Sequence, residues 1–454
     1  MKQTIKSIYR IILAALLTAC GMATPRQTAV PTITPVPSST SISSTATSIP
    51  QATATPTSSI TLTSAPYRLL LAYMVDKNLY FQKGSNPPVK LTHSADDRYP
   101  LLSDDGEILI FYRGLVPHEL YSIRTDGTQE KVLVTGSLLE SLGLGYDEFT
   151  EIISLAFVPG THQVMFHTRQ LSQSDIDMQD FNRLGSAPNM DLLSIDADTG
   201  EIKSLLPRGQ GSSFLISPDG SRVDVIGNGH IDVIDINGRM FRKNLVRYTP
   251  TQPYRVAPRI FWVEDSTELI VTLSAETEYN FDGPEIRSVW RYTIADGAKV
   301  QIPYAPPLIG FEACVSPDGN WILYDYFYYP GKTDETITDG LYLGNLHDGS
   351  SQIYELGMIV TRGWSADNIH FLYEGFENEI YLGSIDQQPE FTGNKGRFLG
   401  WLDLNHYLFY STSDEAVVGV MGEIDGETTF FPIAAPASSL SGGAGSFTFV
   451  YLDH

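Results

Sequence analysis

The chain has 454 residues, with 53 acidic and 30 basic side chains and a formal net charge of −23. Nucleic-acid-binding proteins gain most of their affinity from Lys and Arg that neutralise phosphates, so this charge argues against a nucleic-acid partner and favours a cationic or metal-seeking one. The chain contains two cysteines, Cys20 and Cys314. Because Cys20 lies in a predicted N-terminal targeting segment, Cys314 has no cysteine to pair with inside the folded domain. We therefore expect no internal disulfide and a fold stabilised by packing.

The first 19 residues have the pattern of a secretory signal peptide. Lys2, Lys6 and Arg10 precede an apolar run, 11–19, that is too short to span a bilayer. The string Leu-Thr-Ala-Cys-Gly at 17–21 resembles the lipobox of bacterial lipoproteins. The resemblance implies that residues 1–19 are removed and that Cys20 carries lipid such as palmitate. The chain would then be anchored outside the cytoplasm, on the cell membrane or the outer membrane. A signal peptide with a chance cysteine is the alternative.

Residues 20–66 are composed of Thr, Ser, Pro and Ala with almost no charge. Such a segment cannot bury enough apolar surface to offset its conformational entropy. We therefore predict a disordered linker, which holds the folded domain, 67–454, roughly 35 Å from the membrane.

From residue 67 onward, short runs of β-branched and aromatic residues alternate with turn signals, and no helical period extends over a dozen residues. The recurring phrase is an apolar strand, a turn rich in Asp and Gly, and a second strand. Its clearest copies are the Ser-Pro-Asp-Gly turns at 217–220 and 316–319. Each unit reads as four strands, here called A to D in chain order. The predicted A strands end at Leu102, Phe157, Ile216, Trp262, Val315, Trp364, Trp401 and Tyr451.

The two ends of the repeat array complete each other. The first unit, 67–92, lacks an A strand, and the last segment, 446–453, is an A strand without a unit. Joining them gives a one-plus-three closure that removes exposed sheet edges. We predict an all-β fold, a β-propeller of eight four-stranded blades. Seven blades would result if the weakest unit, 208–248, is misread.

The Ser-Pro-Asp-Gly turns, each followed by an apolar strand and then by a strand such as Leu341-Tyr342, resemble the TolB-like or WD40-like (PD40-type) propeller repeat family. The resemblance spans residues 67–454 and implies the fold. It implies little about activity, because propellers host both binding and catalysis.

The long insertions in the repeat all fall on B-to-C or D-to-A connections, which share one face of a propeller. They are 136–151, 170–189, 248–256, 275–286 and 328–339. Long loops on a rigid scaffold are common sites of function. These loops are acidic and contain aromatic residues, which predicts a binding face; the alternative is that their charges only solvate the loops. The predicted binding residues are Asp175, Asp177, Asp180, Phe181, Glu278, Tyr279, Phe281, Asp282, Glu285, Asp334, Glu335 and Asp339.

Specific chemistry is scarce in the sequence. Asp175, Asp177 and Asp180 offer oxygen ligands for Ca²⁺ but lack the glycine and bidentate Glu of an EF-hand loop. Asp196–Gly200 reads as a structural hairpin turn, and one of His162 and His167 as a packing residue. No catalytic motif is present, and the predicted A strands contain no cluster of His, Arg and carboxylate.

These patterns predict a membrane-anchored, extracytoplasmic and monomeric module that binds a protein, a peptide or a glycan through its acidic face. The alternative is an extracytoplasmic hydrolase or lyase that uses carboxylates on the same face as acid and base.

Overall fold

The computed structural model describes part of one compact unit, Ser59–His454. The described residues are 68–114, 118–142, 148–172, 191–249, 258–274, 287–303, 313–326, 340–357, 359–375, 377–413, 416–424, 429–432 and 447–452. The predicted signal peptide, Cys20 and the predicted linker lie outside these ranges. Within them, no helix is both long enough and apolar enough to cross a membrane.

The described residues form 32 strands and one helix. The strands of the first half are β1 (Leu69–Val75), β2 (Asn78–Lys83), β3 (Val89–Lys90), β4 (Asp97–Leu102), β5 (Ile108–Arg113), β6 (Glu119–Arg124), β7 (Lys131–Val134), β8 (Glu148–Phe157), β9 (Gln163–Ser172), β10 (Leu192–Asp196), β11 (Ile202–Ser204), β12 (Ser213–Ile216), β13 (Arg222–Gly227), β14 (His230–Asp235) and β15 (Met240–Arg247). The helix, α1, is Gly136–Leu142.

The strands of the second half are β16 (Arg259–Trp262), β17 (Glu268–Ser274), β18 (Arg287–Thr293), β19 (Lys299–Ile302), β20 (Ala313–Val315), β21 (Trp321–Tyr326), β22 (Gly340–Asn345), β23 (Ser351–Leu356), β24 (Val360–Trp364), β25 (His370–Glu374), β26 (Glu379–Ser384), β27 (Glu390–Lys395), β28 (Arg397–Trp401), β29 (His406–Ser413), β30 (Ala416–Glu423), β31 (Thr429–Pro432) and β32 (Phe447–Tyr451).

These strands form eight antiparallel four-stranded sheets, which are the blades of a β-propeller. Blades 2 to 8 each contain four consecutive strands, from β4–β7 to β28–β31. Blade 1 has the order β3-β2-β1-β32, in which Leu69 pairs with Tyr451 and Tyr73 with Phe447. The predicted closure is therefore confirmed, and so are the ends of all eight A strands. The weakest unit is a complete sheet, β12–β15, which establishes eight blades and not seven.

The apolar core is divided among the interfaces between blades. The described residues contain eight buried apolar clusters, and each joins two neighbouring blades. In β1, Leu69, Leu71 and Tyr73 pack against blade 8, whereas Leu70 and Ala72 pack against blade 2. Successive side chains of a strand point to opposite faces, so a strand buried on both faces is apolar throughout. This explains the continuous apolar runs of the repeat.

The Ser-Pro-Asp-Gly motif forms a hydrogen-bonded turn between strands A and B. The Ser217 hydroxyl donates to Asp219 Oδ1 at 2.6 Å and accepts from the Arg222 amide at 3.0 Å. Asp219 also accepts from the amide of Ser221 at 2.9 Å, and Gly220 has a φ of 69°, which glycine adopts without steric cost. Burial alone would raise the pKa of Asp219, but the hydrogen bonds from Ser217 and Ser221 lower it to about 2. The signature residues are therefore structural.

One predicted loop contains regular structure. Within 136–151, residues 136–142 form α1 and residues 148–151 belong to β8, so the prediction of a continuous loop there was wrong. Thr135 caps the helix by accepting from the Leu138 amide at 3.2 Å, and Leu139 is buried between blades 2 and 3. A helix of seven residues is too short to show a clear helical period in the sequence.

Candidate functional site

The predicted binding residues lie outside the described residues. This applies to Cys20 and to the whole acidic set, namely Asp175, Asp177, Asp180, Phe181, Glu278, Tyr279, Phe281, Asp282, Glu285, Asp334, Glu335 and Asp339. The face from which they are expected to project can still be located from the strands on either side. Their role in binding, including the Ca²⁺ set, stays a prediction.

The lengths of the B-to-C connections single out three blades. In blades 1, 2, 4, 7 and 8 these connections are short, as at 76–77 and 228–229. Blades 3, 5 and 6 have the long ones, 173–191, 275–286 and 327–339. The C-terminal ends of β9, β17 and β21 therefore mark the side of the ring that carries the three longest B-to-C connections. We call this the loop-bearing face.

A recess with a volume of ≈ 480 Å³ is present among the A strands of blades 3 to 6. Its walls come from β8, β12, β16 and β20, with contributions from β9 and β13. Most of the A-strand residues in these walls, such as Ser213, Arg259 and Ala313, belong to the N-terminal halves of their strands. A strands run from the loop-bearing face towards the A-to-B turns, so the recess extends along these strands from their loop-bearing side to residues near the turns, such as Leu215 and Phe261.

The recess is mainly apolar. Its lining includes Phe214, Ile260 and Phe261, together with two exposed apolar side chains, Ile153 (39% exposed) and Leu215 (42% exposed). The pairing of β8 with β9 shifts register between Ile152 and Ser154, so Ile153 is the extra residue of a β-bulge. Bulges re-aim side chains and are frequent beside functional sites. Apolar walls with a few polar groups are typical of small-molecule pockets, which usually measure about 300–1,000 Å³.

Two polar residues of the recess form a hydrogen-bonded pair. Ser154 Oγ lies 2.7 Å from Nδ1 of His167, its cross-strand neighbour in β9. His167 is only 2% exposed, and its ring lies edge-on to Phe214 with the ring centroids 6.1 Å apart. Burial, and secondarily the charge of Arg169, lower the pKa of His167 to about 4. The imidazole is therefore neutral at neutral pH and can accept the Ser154 proton.

Arg259 is the one formally charged residue among the described residues that line the recess. It is the first residue of β16 and pairs across the strands with Thr272. The recess therefore brings His167 and Arg259 together without a carboxylate in its described lining. The sequence did not indicate this recess, because its lining residues come from four blades and their separations along the chain have no pattern.

A buried carboxyl lies one strand further out on the same sheet face as Leu215. Asp224 in β13 is its cross-strand partner, is 0% exposed, and accepts a hydrogen bond from Trp262 Nε1 at 2.6 Å. Its other oxygen, Oδ2, has no hydrogen-bond partner among the described residues. Burial outweighs the bond from Trp262 and raises the pKa of Asp224 to about 7.

The Asp224 contact is a variant of a repeated feature. Trp364 and Trp401 also end A strands, and each donates its indole N–H to a backbone carbonyl of the preceding blade, at Cys314 (3.2 Å) and Gly363 (3.1 Å). Between blades 4 and 5 a carboxyl replaces that carbonyl. Cys314 is partly buried in β20.

A second polar cluster lies on the opposite face, among the tight turns. Asp105, Glu107 and His162 have ligand atoms within 4.8 Å of one another. Both ring nitrogens of His162 already contact carboxylates, Nε2 with Asp105 at 2.8 Å and Nδ1 with Asp198 at 2.6 Å. Burial alone would lower the pKa of His162, but the hydrogen bonds to Asp198 and Asp105 raise it.

We interpret the His162 cluster as structural, because both imidazole nitrogens already contact carboxylates. The cluster connects blade 2 to blade 3, and Arg124 strengthens it by contacting Glu107 at 2.9 Å and Asp198 at 3.0 Å. The turn at 196–200 is a structural hairpin, as predicted, because Asp196 Oδ1 accepts from the Thr199 amide at 2.7 Å.

No protein-family model and no curated protein sequence matches the chain. Several solved structures are similar to parts of the chain. A structure described as the eukaryotic initiation factor has a TM-score of 0.50 at 12% identity, covering 81% of this chain and 85% of that one. An oligogalacturonate lyase in complex with manganese has a TM-score of 0.42 at 14% identity, covering 71% and 89%. TolB from Acinetobacter baumannii has a TM-score of 0.33 at 11% identity, covering 67% and 86%.

These similarities concern the fold alone. The chain is an eight-bladed β-propeller protein, and proteins of unrelated function share that architecture.

Proposed function

We propose that the chain is a lipid-anchored, extracytoplasmic binding module that engages a protein, peptide or glycan at its loop-bearing face. The observation that carries this proposal is a coincidence of position. The three blades with long B-to-C connections, 3, 5 and 6, are among the four blades whose A strands line the recess. Long connections around a recess on a rigid scaffold are a common arrangement for recognition.

The described lining of the recess supports binding more than catalysis. An effective general base has a pKa near the pH at which it works. His167, with a pKa of about 4, is a weak base at neutral pH, and the described lining contains no carboxylate to act with it. We therefore interpret the Ser154–His167 pair as a fixed polar feature of a binding surface.

Membrane anchoring through Cys20 is tested by replacing each cysteine in turn. We expect the wild-type chain to partition into the detergent phase of a cell extract and Cys20→Ala to remain in the aqueous phase. Cys314→Ala is the matched control and should stay in the detergent phase. Detergent partitioning of Cys20→Ala at the wild-type level contradicts the anchor.

The binding face is tested by photo-crosslinking in the native envelope. A photoreactive amino acid is placed at Leu215, in the recess, or at Leu404, an exposed apolar residue on the tight-turn face. We expect a crosslinked partner from the first position and none from the second. Equal crosslinking from both positions refutes the assignment of the loop-bearing face.

The acidic contribution has its own test. If the acidic loops bind the partner, alanine replacement of Asp175, Asp177 and Asp180 should reduce the crosslinked product. If Ca²⁺ is held there, the ion should raise the melting temperature of the wild type and not that of the triple variant. Unchanged crosslinking and an unchanged response to Ca²⁺ would remove these three residues from the proposed site.

A further inference from the structure

We propose that the recess among blades 3 to 6 binds an uncharged, mainly apolar molecule that carries a hydroxyl group. This inference goes beyond the proposed function, because it concerns a small ligand and holds whether or not the chain is anchored to a membrane. It depends on three properties of the described lining, namely its apolar walls, its balance of charge and the hydrogen-bonded pair Ser154–His167.

The apolar walls provide the surface for the body of the ligand. Ile153 and Leu215, in β8 and β12, are large apolar side chains that remain substantially exposed, and a β-bulge places the first of them. The rings of Phe214 and Phe261 add to the same lining. Transfer of an apolar body from water to such a wall is favourable in proportion to the area that it covers.

The charge balance of the recess favours a neutral ligand. Arg259 is the one formally charged residue of the described lining, and it already has an interaction partner. The imidazole of His167 is neutral at neutral pH because burial lowers its pKa. An ionised ligand would therefore lose its hydration without meeting an uncompensated opposite charge in the described lining, and burial of an unpaired charge is costly.

The Ser154–His167 pair selects a hydroxyl group as the polar part of the ligand. Among the described residues, Ser154 is the one hydrogen-bond partner of the His167 ring, through Nδ1. If Ser154 donates this bond, Nε2 carries a proton to donate and the Ser154 oxygen can still accept. If Nδ1 donates it, Nε2 accepts and the Ser154 hydroxyl donates. Both arrangements leave one donor and one acceptor, and a hydroxyl group can serve either because it both donates and accepts.

Binding is measured by calorimetric titration of the full chain carrying Cys20→Ala, so that no acyl group on Cys20 can compete. Three probes share one carbon skeleton and differ in charge at neutral pH: phenylbutanol is neutral, phenylbutyrate is an anion and phenylbutylamine is a cation. We expect phenylbutanol to bind at least about tenfold more tightly than either ion, because neither ion meets a compensating charge.

The polar pair is tested with Ser154→Ala and a fourth probe, butylbenzene, which lacks the hydroxyl group. Because one neutral hydrogen bond is lost, Ser154→Ala should weaken phenylbutanol binding about threefold to tenfold and leave butylbenzene binding unchanged. Ser204→Ala alters an exposed serine of β11 outside the recess and should preserve the binding of both probes. Equal weakening of both probes by Ser154→Ala would overturn the assignment of the hydroxyl group.

The apolar wall is tested at Leu215, where exposure permits substitution without loss of core packing. Leu215→Gln should weaken phenylbutanol binding about fivefold, because part of the apolar surface that the ligand covers becomes polar. Leu404→Gln, on the tight-turn face, is the matched control and should have no effect. The proposal is overturned if phenylbutyrate or phenylbutylamine binds as tightly as phenylbutanol, if no probe binds, or if Leu404→Gln acts like Leu215→Gln.

The outcomes separate this inference from the proposed function. Phenylbutanol binding together with failed anchoring or absent crosslinks would contradict the proposed function alone. Specific crosslinks from Leu215 without phenylbutanol binding would contradict the small-ligand inference alone.

Discussion

Asp224→Asn should change how the stability of this propeller depends on pH. Asp224 is fully buried between blades 4 and 5, with Oδ1 bonded to Trp262 and Oδ2 unpartnered among the described residues. Asn keeps the oxygen that Trp262 requires and cannot ionise. The substitution therefore isolates the cost of a buried negative charge from the loss of an inter-blade hydrogen bond.

The size and sign of the effect follow from linkage. The folded state raises the pKa of Asp224 from 3.8 to about 7, so between these values the folded protein retains a proton that the unfolded chain has released. Stability must then fall as pH rises through this window and level off above it. At 1.36 kcal/mol per pH unit, the loss attributable to Asp224 is about 4 kcal/mol, and Asp224→Asn removes it.

The assay is urea denaturation, followed by tryptophan fluorescence, at a series of pH values from about 4 to about 8. We expect the variant to gain stability relative to the wild type as pH rises, by about 4 kcal/mol over the series. Glu264→Gln, which neutralises an exposed turn carboxyl, should give curves parallel to the wild type. Parallel curves for Asp224→Asn as well would refute the reasoning, since Asp224 would then ionise with equal ease in both states.

Three further predictions concern the contacts that hold the ring together. His162→Gln should cost about 1 kcal/mol, since its carboxylate partners are largely exposed. The loss should be greatest between about pH 4 and 6.5. The stabilisation by His162 disappears as pH rises through its raised pKa, and the stabilisation by Asp105 disappears as pH falls through its lowered pKa. An equal loss of stability at about pH 9 in thermal melts would contradict the ion pairs of the His162 cluster. Asp97→Ala should cost about 2–3 kcal/mol in urea titrations, because it removes the fully buried carboxylate that Arg113 contacts at 2.6 Å, although Arg113 keeps its pair with Glu130. Glu130→Ala, which removes the exposed partner of Arg113, should cost under about 1 kcal/mol. Truncation before Phe447 removes β32 and exposes the edge of β1, so we expect a lower melting temperature and concentration-dependent aggregation by light scattering, and an unchanged melting temperature would show that closure of blade 1 is not needed.

Much of the fold could be predicted from the sequence because each blade repeats the same local physics. A strand packed on both faces is apolar along its length, and the turn that follows it needs Ser, Asp and Gly at fixed positions. These requirements act over a few residues, so they leave a pattern that recurs at 217–220 and 316–319 and identifies the A strands. The pairing of β1 with β32 was predictable for the same reason, since each end of the array lacked what the other supplied.

The helix α1 and the inter-blade contacts could not be predicted in this way. The helix depends on a cap at Thr135 and on burial of Leu139 between two blades, and neither leaves a period in seven residues. His162 contacts Asp105 and Asp198 across a blade boundary, at separations along the chain that no repeat rule specifies.

By itself, the sequence predicted a β-propeller closed by pairing its first and last strands, with eight blades favoured over seven, and the sheet β12–β15 then established eight. The sequence also predicted a lipid anchor and an acidic face, which remain to be tested by experiment. Only the tertiary structure placed Ser154, His167 and Arg259 around one recess and left Asp224 buried against Trp262. The reason is that strand and turn formation depend on near neighbours in the sequence, whereas the recess exists only where the edges of four separate blades meet.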